Sequence, residues 1–129
     1  MNIQDKITYW QDIALYDLET AELLDKNGRY LYAAFMCQQA LEKILKALYL
    51  HRFSKEAPHS HNLVYLESLL ELNMSKNRVP LLAELTAYYI EGRYPSYKAK
   101  LSTLIDKKKS SMVEKTSREL FEWLQEKLK

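Results

Sequence analysis

The sequence predicts an all-α protein, an antiparallel (up-down) four-helix bundle with a short fifth helix. Two observations carry that expectation. Only 2 Gly and 3 Pro occur in 129 residues, of which 47% are hydrophobic, too few turn formers for a sheet-rich fold. Apolar residues also return at three- and four-residue steps along most of the chain, the period of one helix face. A chain of this length is expected to form a single domain over residues 1–129 that buries its own core without a disulfide or a metal.

The first helix is expected from about Gln4 to Lys26. Trp10, Ala14, Leu18, Ala21 and Leu24, with Ile7 ahead of them, form its inner stripe, and Asp17 lies close to that stripe. Asn27-Gly28 provides the stop, since both residues tolerate the left-handed conformation that ends a helix. The second helix, Tyr30 to Leu50, begins at once, so the pair must fold back as a helical hairpin. Its sequence, YLYAAFMCQQALEKILKALYL, has no Gly or Pro and puts Ala34, Leu41, Leu45 and Leu48 on one face. The same spacing places Gln38 on the buried stripe, with Gln39, Glu42, Lys43 and Lys46 beside it. A buried amide must find partners, so this interruption of an apolar face marks the first candidate for function.

His51 to His59 reads as a polar connection containing Pro58. Ser60 is the expected cap of a third helix, from about His61 to Leu72, with Leu63, Leu66, Leu69 and Leu70 inward. A fourth helix carries Pro80 in its first turn and Leu82, Leu85, Tyr88 and Tyr89 on its inner face, ending near Gly92. Pro95 to Leu104 reads as loop. The last helix is expected from about Ser111 to Leu128, with Ser111 and Glu114 as a capping box and Val113, Leu120, Trp123, Leu124 and Leu128 apolar. Lys107-Lys108-Lys109 then forms a solvated stretch ahead of it.

Nineteen basic against 17 acidic residues give a net charge of +2, so no bulk charge drives the chain toward nucleic acid. The single Cys37, inside an apolar helix, reads as a small buried hydrophobe and suits a reducing compartment. The first ten residues, MNIQDKITYW, lack the apolar run of a signal peptide, and no stretch approaches membrane-spanning length, so a cytoplasmic location and no membrane partner are expected. Ten Tyr and 2 Trp supply more amphipathic aromatic surface than a bundle this size must bury, which favours a homodimer or simply aromatic bundle edges.

Asp17, Gln38, Lys43, His61, Arg93 and Tyr94 are the polar residues placed where helices begin, end or face inward. In an up-down bundle an acid on helix one reaches the level of Gln38 and Lys43. Together they make either a ligand pocket or a structural ion pair beside a satisfied core glutamine. Arg93 sits between Gly92 and Tyr94-Pro95, a corner that suits bidentate phosphate binding or capping of the helix-four carbonyls. His59 and His61 flank Ser60 without Cys or a carboxylate cluster, so no metal site is expected.

The pattern Trp10-x3-Ala14-x2-Asp17-Leu18-x2-Ala21, followed by Gly28-x-Tyr30-x2-Ala33-x-Phe35-x-Cys37-Gln38-Gln39-Ala40-x-Glu42-Lys43-x2-Lys46-Ala47, resembles the HEPN domain (higher eukaryotes and prokaryotes nucleotide-binding). His61-x-Leu63 and Arg93-Tyr94-Pro95 extend the likeness, which covers about residues 8 to 125. The resemblance implies an antiparallel helical bundle, often dimeric, that pairs with a small nucleotidyltransferase and helps bind substrate or nucleotide, in some cases as half of a toxin–antitoxin pair. No cofactor is expected. On that basis Asp17 and Lys43 would shape a cleft, Gln38 or Gln39 would read a base or sugar edge, and Arg93 with His61 would hold phosphate, Tyr94 being a further ligand-binding candidate. The family also contains metal-independent ribonucleases, which carry an Arg, four to six residues, then a His. Arg93 has no such His after it; Arg52 and His59 have six residues between them but span a helix end and a Pro-containing loop. The alternatives are therefore an RNA-cutting toxin using Arg52 and His59, or a purely structural dimeric bundle.

Overall fold

The computed structural model describes residues 1–76, 78–91, 93–94, 103 and 105–129, and among these the regular structure is five helices and no strand. They are α1 (Ile3–Lys26), α2 (Tyr30–Phe53), α3 (Leu63–Leu70), α4 (Val79–Glu91) and α5 (Lys107–Glu126). The all-α bundle with one short helix is thus the observed architecture, α3 being the short one at 8 residues. The expected loop from Pro95 to Leu104 falls outside the described residues, as does Gly92, except for Thr103, which is helical rather than loop.

Asn2 starts α1 by accepting the Asp5 amide at 2.8 Å. At its end Gly28 takes φ +76°, Arg29 N–H reaches the Leu24 carbonyl at 2.8 Å and Gly28 N–H the Asp25 carbonyl at 3.3 Å. That pair of bonds satisfies carbonyls the helix leaves over and turns the chain directly into α2. α2 is the hub: it packs on α1, α3, α4 and α5. A helix covered on so many sides must be apolar nearly all round, and fourteen of its residues are buried, Leu41, Ile44 and Leu45 among them. Leu63, Leu66, Leu82, Leu85, Leu120, Phe121 and Leu124 close the core around it.

Two helix starts differ from expectation. α3 begins after Asn62, whose side chain accepts the Val64 and Tyr65 amides at 3.0 and 3.2 Å, while Ser60 Oγ accepts the Asn62 amide at 3.1 Å. His61 therefore lies in the connection rather than in the helix, and Leu69 is only half-buried. α5 begins a turn earlier than expected, capped by Asp106, which accepts the Lys109 amide at 2.8 Å. The lysine run is its first turn. Ser110 and Ser111 are consumed instead by Asp25 of α1, with Ser110 Oγ donating at 2.6 Å. Thr86 ties α4 to α3, accepting the Leu63 amide at 3.1 Å. Cys37 is wholly buried, and burial pushes its thiol up to about 12.

Glu114 is buried on α5; Arg118 Nη2 donates to its Oε2 at 2.7 Å, and Oε1 has no hydrogen-bond partner among the described residues. Burial raises its pKa above the ordinary carboxyl value, Arg118 offsetting only part of that. A folded-state value above the unfolded one means stability is fully present at acid pH below the ordinary value and is lost as pH rises through the raised one. Glu114→Gln is expected to remove this loss: in denaturant titrations the variant should gain on the native chain steadily as pH increases from about 4 to 7. A stability difference that stays constant across that range would refute the assignment.

Candidate functional site

The interrupted face of α2 builds a polar network from the inside out. Gln38 is fully buried; its amide nitrogen donates to Glu42 Oε1 at 3.0 Å and to the His61 carbonyl at 2.9 Å, and its oxygen accepts from Gln39 Nε2 at 2.8 Å. Both amide hydrogens of Gln38 are thereby used within the protein. Glu42, 4% exposed, accepts from Lys46 at 3.1 Å through its other oxygen, and Lys46 is itself only 9% exposed. Gln38, Glu42 and Lys46 stand four residues apart, so one row of α2 carries an amide, a carboxylate and an ammonium into the interior.

His61 joins this row from the connection before α3. Its Nδ1 is 2.8 Å from Glu42 Oε1, so the ring donates there and Nε2 is left as its remaining polar atom. The side chain is 53% exposed, which puts that atom within reach of solvent or a ligand. Tyr89 of α4 packs on the ring with centroids 5.0 Å apart, and the Arg93 guanidinium lies over the same tyrosine at 5.5 Å. Phe35 of α2 meets Tyr89 edge-on at 6.4 Å, and Tyr32 meets Phe35 at 5.4 Å. A half-buried tyrosine is therefore the hinge-pin between a histidine anchored on a buried carboxylate and an exposed arginine that pairs with no carboxylate among the described residues. Tyr94 follows Arg93 on the surface, its amide bonded to the Glu91 carbonyl at 3.1 Å.

Asp17 and Lys43 form their own pair at 2.5 Å, half-buried, which locks α1 to α2 one turn beyond Gln39. An acid on the antiparallel neighbour does reach Lys43, but the pair makes no bond to the Gln38 row. The structure thus joins Gln38, Gln39 and His61 by hydrogen bonds and Arg93 through Tyr89, and sets Asp17–Lys43 apart. Glu42 and Lys46, expected only to flank the stripe, are its buried centre, and Tyr89, expected as a plain inner-face residue, is its link to α4. The four-residue spacing of Gln38, Glu42 and Lys46 was the available signal.

The alternative pair behaves differently. Arg52, in the last turn of α2, donates to the Leu70 carbonyl and so satisfies the end of α3. His59 is exposed in the connection and makes no hydrogen bond with Arg52. Among the described residues no three His, Cys, Asp or Glu side chains gather to hold a metal ion, and no helix is long and apolar enough to cross a membrane.

Removing the buried carboxylate should be costly. Glu42→Ala leaves the Lys46 ammonium and a Gln38 donor unpaired in the interior, and is expected to lower unfolding free energy by about 3–5 kcal/mol. Asp17→Asn, at a partly solvated pair, should cost about 1.5 kcal/mol. Urea titrations giving equal losses for the two variants would contradict the central place of Glu42.

Comparison with known proteins bears on the fold. The chain superposes on the crystal structure of TT1696 from Thermus thermophilus with a TM-score of 0.81 at 24% identity, covering 98% of this chain and 99% of that one. An archaeal HEPN homologue gives a TM-score of 0.75 at 19% identity, covering 100% and 99%. At such identities these likenesses speak to the fold alone. Among curated proteins none matches the chain. The sequence profile of the HEPN domain matches residues 7–128, nearly the whole chain, and on that ground the protein belongs to the HEPN domain family.

Proposed function

We propose that this HEPN domain is a non-catalytic module that holds a nucleotide or another phosphate-bearing ligand on the surface around His61 and Arg93. The observation that carries the reading is the shared contact on Tyr89, which sets a guanidinium and an imidazole against one aromatic ring. An arginine held on a tyrosine keeps its edge donors for phosphate oxygens, and the flat ring surface beside it suits a base. Gln39, with only one amide hydrogen committed, to Gln38, is the better placed of the two glutamines to read a base or sugar edge; Gln38, saturated, positions it. Asp17 and Lys43, which pair with each other, join α1 to α2 outside that cluster, and Tyr94 follows Arg93 in the chain.

The domain would act in the cytoplasm, as a homodimer or beside a small nucleotidyltransferase, with a toxin–antitoxin pair as one setting for the second arrangement. Tyr9, Tyr16 and Leu23 support an interaction face: they are exposed and lie seven residues apart on α1, a row of large apolar groups on one side of the helix.

Thermal unfolding with added nucleotides tests the ligand. Binding at about a hundredfold excess over Kd stabilises by about 2.7 kcal/mol, a rise of several degrees in Tm. Arg93→Ala should abolish most of that rise without lowering the ligand-free Tm, because the side chain is exposed. His61→Asn, which can keep a donor toward Glu42 while removing Nε2, should weaken it as well. No rise with ATP, GTP, CTP, UTP or a short RNA at millimolar concentration, or a rise untouched by Arg93→Ala, would overturn the reading.

A further inference from the structure

A hollow lined by described residues lies along a different face of α4 from Tyr89 and Arg93. It measures about 380 Å³, within the size range of small-molecule sites, and opens between α4 and the first half of α5. Leu81, Met112 and Val113 supply apolar wall, and Arg78, Glu84 and Lys109 stand among its polar residues. Two of those charges are spent on each other. Lys109 Nζ is 2.7 Å from Glu84, whose Oε1 also accepts the Tyr88 hydroxyl at 2.6 Å.

Arg78 is different. Its guanidinium lies over the Trp123 ring at 5.2 Å, and Lys127 lies over the same indole at 4.2 Å. Among the described residues it pairs with no carboxylate, although Glu119 also lines the hollow, one helical turn before Trp123. A planar cation held over an aromatic ring keeps its N–H donors in its own plane, directed past the ring edge, and surrenders little of its freedom on binding an anion. A half-apolar hollow with such a donor at its side has the anatomy of a site for an amphipathic anion, where the apolar body is desolvated and the head is fixed by charge-assisted hydrogen bonds.

We propose that the cleft between α4 and α5 is a second ligand site, separate from the His61–Arg93 surface, for a small organic anion: a carboxylate, sulfonate or phosphate head on Arg78 and an apolar, ring-sized body against Leu81, Met112 and Val113. Nothing in this proposal depends on the nucleotide reading. The carboxylate of Glu119 opposes the anion and tunes the affinity downward. That gives the site a signature in which two neighbouring charges act with opposite sign.

The test uses a matched pair of fluorescent probes, anilinonaphthalene sulfonate and its uncharged parent N-phenylnaphthylamine, titrated into the folded full-length chain. The sulfonate is expected to bind about tenfold more tightly than the neutral probe, the size of one charge-assisted contact. Arg78→Met, which keeps an apolar side chain over Trp123, should erase that preference while leaving the neutral probe in place. Glu119→Gln should tighten the sulfonate alone. Met112→Glu, which sets a charge into the apolar wall, should expel both probes. Circular dichroism verifies that each variant is folded. Equal affinity of the two probes, a preference that survives Arg78→Met, binding that survives Met112→Glu, or weaker sulfonate binding after Glu119→Gln would each overturn the proposal.

Discussion

A carboxylate in the middle of the hub helix sets the terms for the rest of the structure. Glu42 is nearly inaccessible, and a charge at that depth is tolerable only when its oxygens are filled by donors of matching charge or strong polarity. The donors come from two directions: Gln38 and Lys46 from its own helix, and His61 from the chain entering α3. The approach of that connection to α2 is therefore dictated by electrostatics as much as by apolar packing. Leu63 and Leu66, immediately after His61, then find their places in the core.

The same constraint organises the surface above it. A histidine that must donate Nδ1 inward has its tautomer and ring plane settled, and Tyr89 packs on the ring so fixed. Arg93 completes the series by lying on Tyr89. Buried charge, anchored imidazole, aromatic spacer and exposed guanidinium form a graded sequence from a dry interior to water. Each member is held by the one beneath it, which is how a side chain at a helix end can be oriented without an ion pair of its own. Along a different face of α4 a comparable device recurs in simpler form, with Trp123 as the platform under Arg78.

Much of the fold was legible because long apolar periodicity and a Gly stop are local signals. Asn27-Gly28 ends α1 where its chemistry says it should, and α2 runs without Gly or Pro. Helix starts were harder, because two capping residues compete in each case. Ser111 with Glu114 has a good local pattern, yet Asp106 caps α5, since Ser110 and Ser111 are claimed by Asp25 eighty-five and eighty-six residues away. That contact is invisible to any local window. Gln38 could be placed in the interior from its spacing. Glu42 and Lys46 could not, since a periodicity argument assumes one buried face, whereas α2 is covered by all its neighbours. Tyr89 shows the same limit from the other side: its helical face was readable, but not that His61 and Arg93 would meet on it.

The central position of α2 also orders how the molecule comes apart. Because every other helix rests on it, its amides become accessible to hydrogen exchange only when the whole bundle opens. α3, eight residues long and bounded by left-handed Glu71 and Asn73, can release its amides through a smaller, local opening. Protection would accordingly be deepest beneath Gln38 and Glu42 and would fall away toward the short helix. The segment expected to exchange most slowly would thus also be the one that carries the buried Gln38, Glu42 and Lys46.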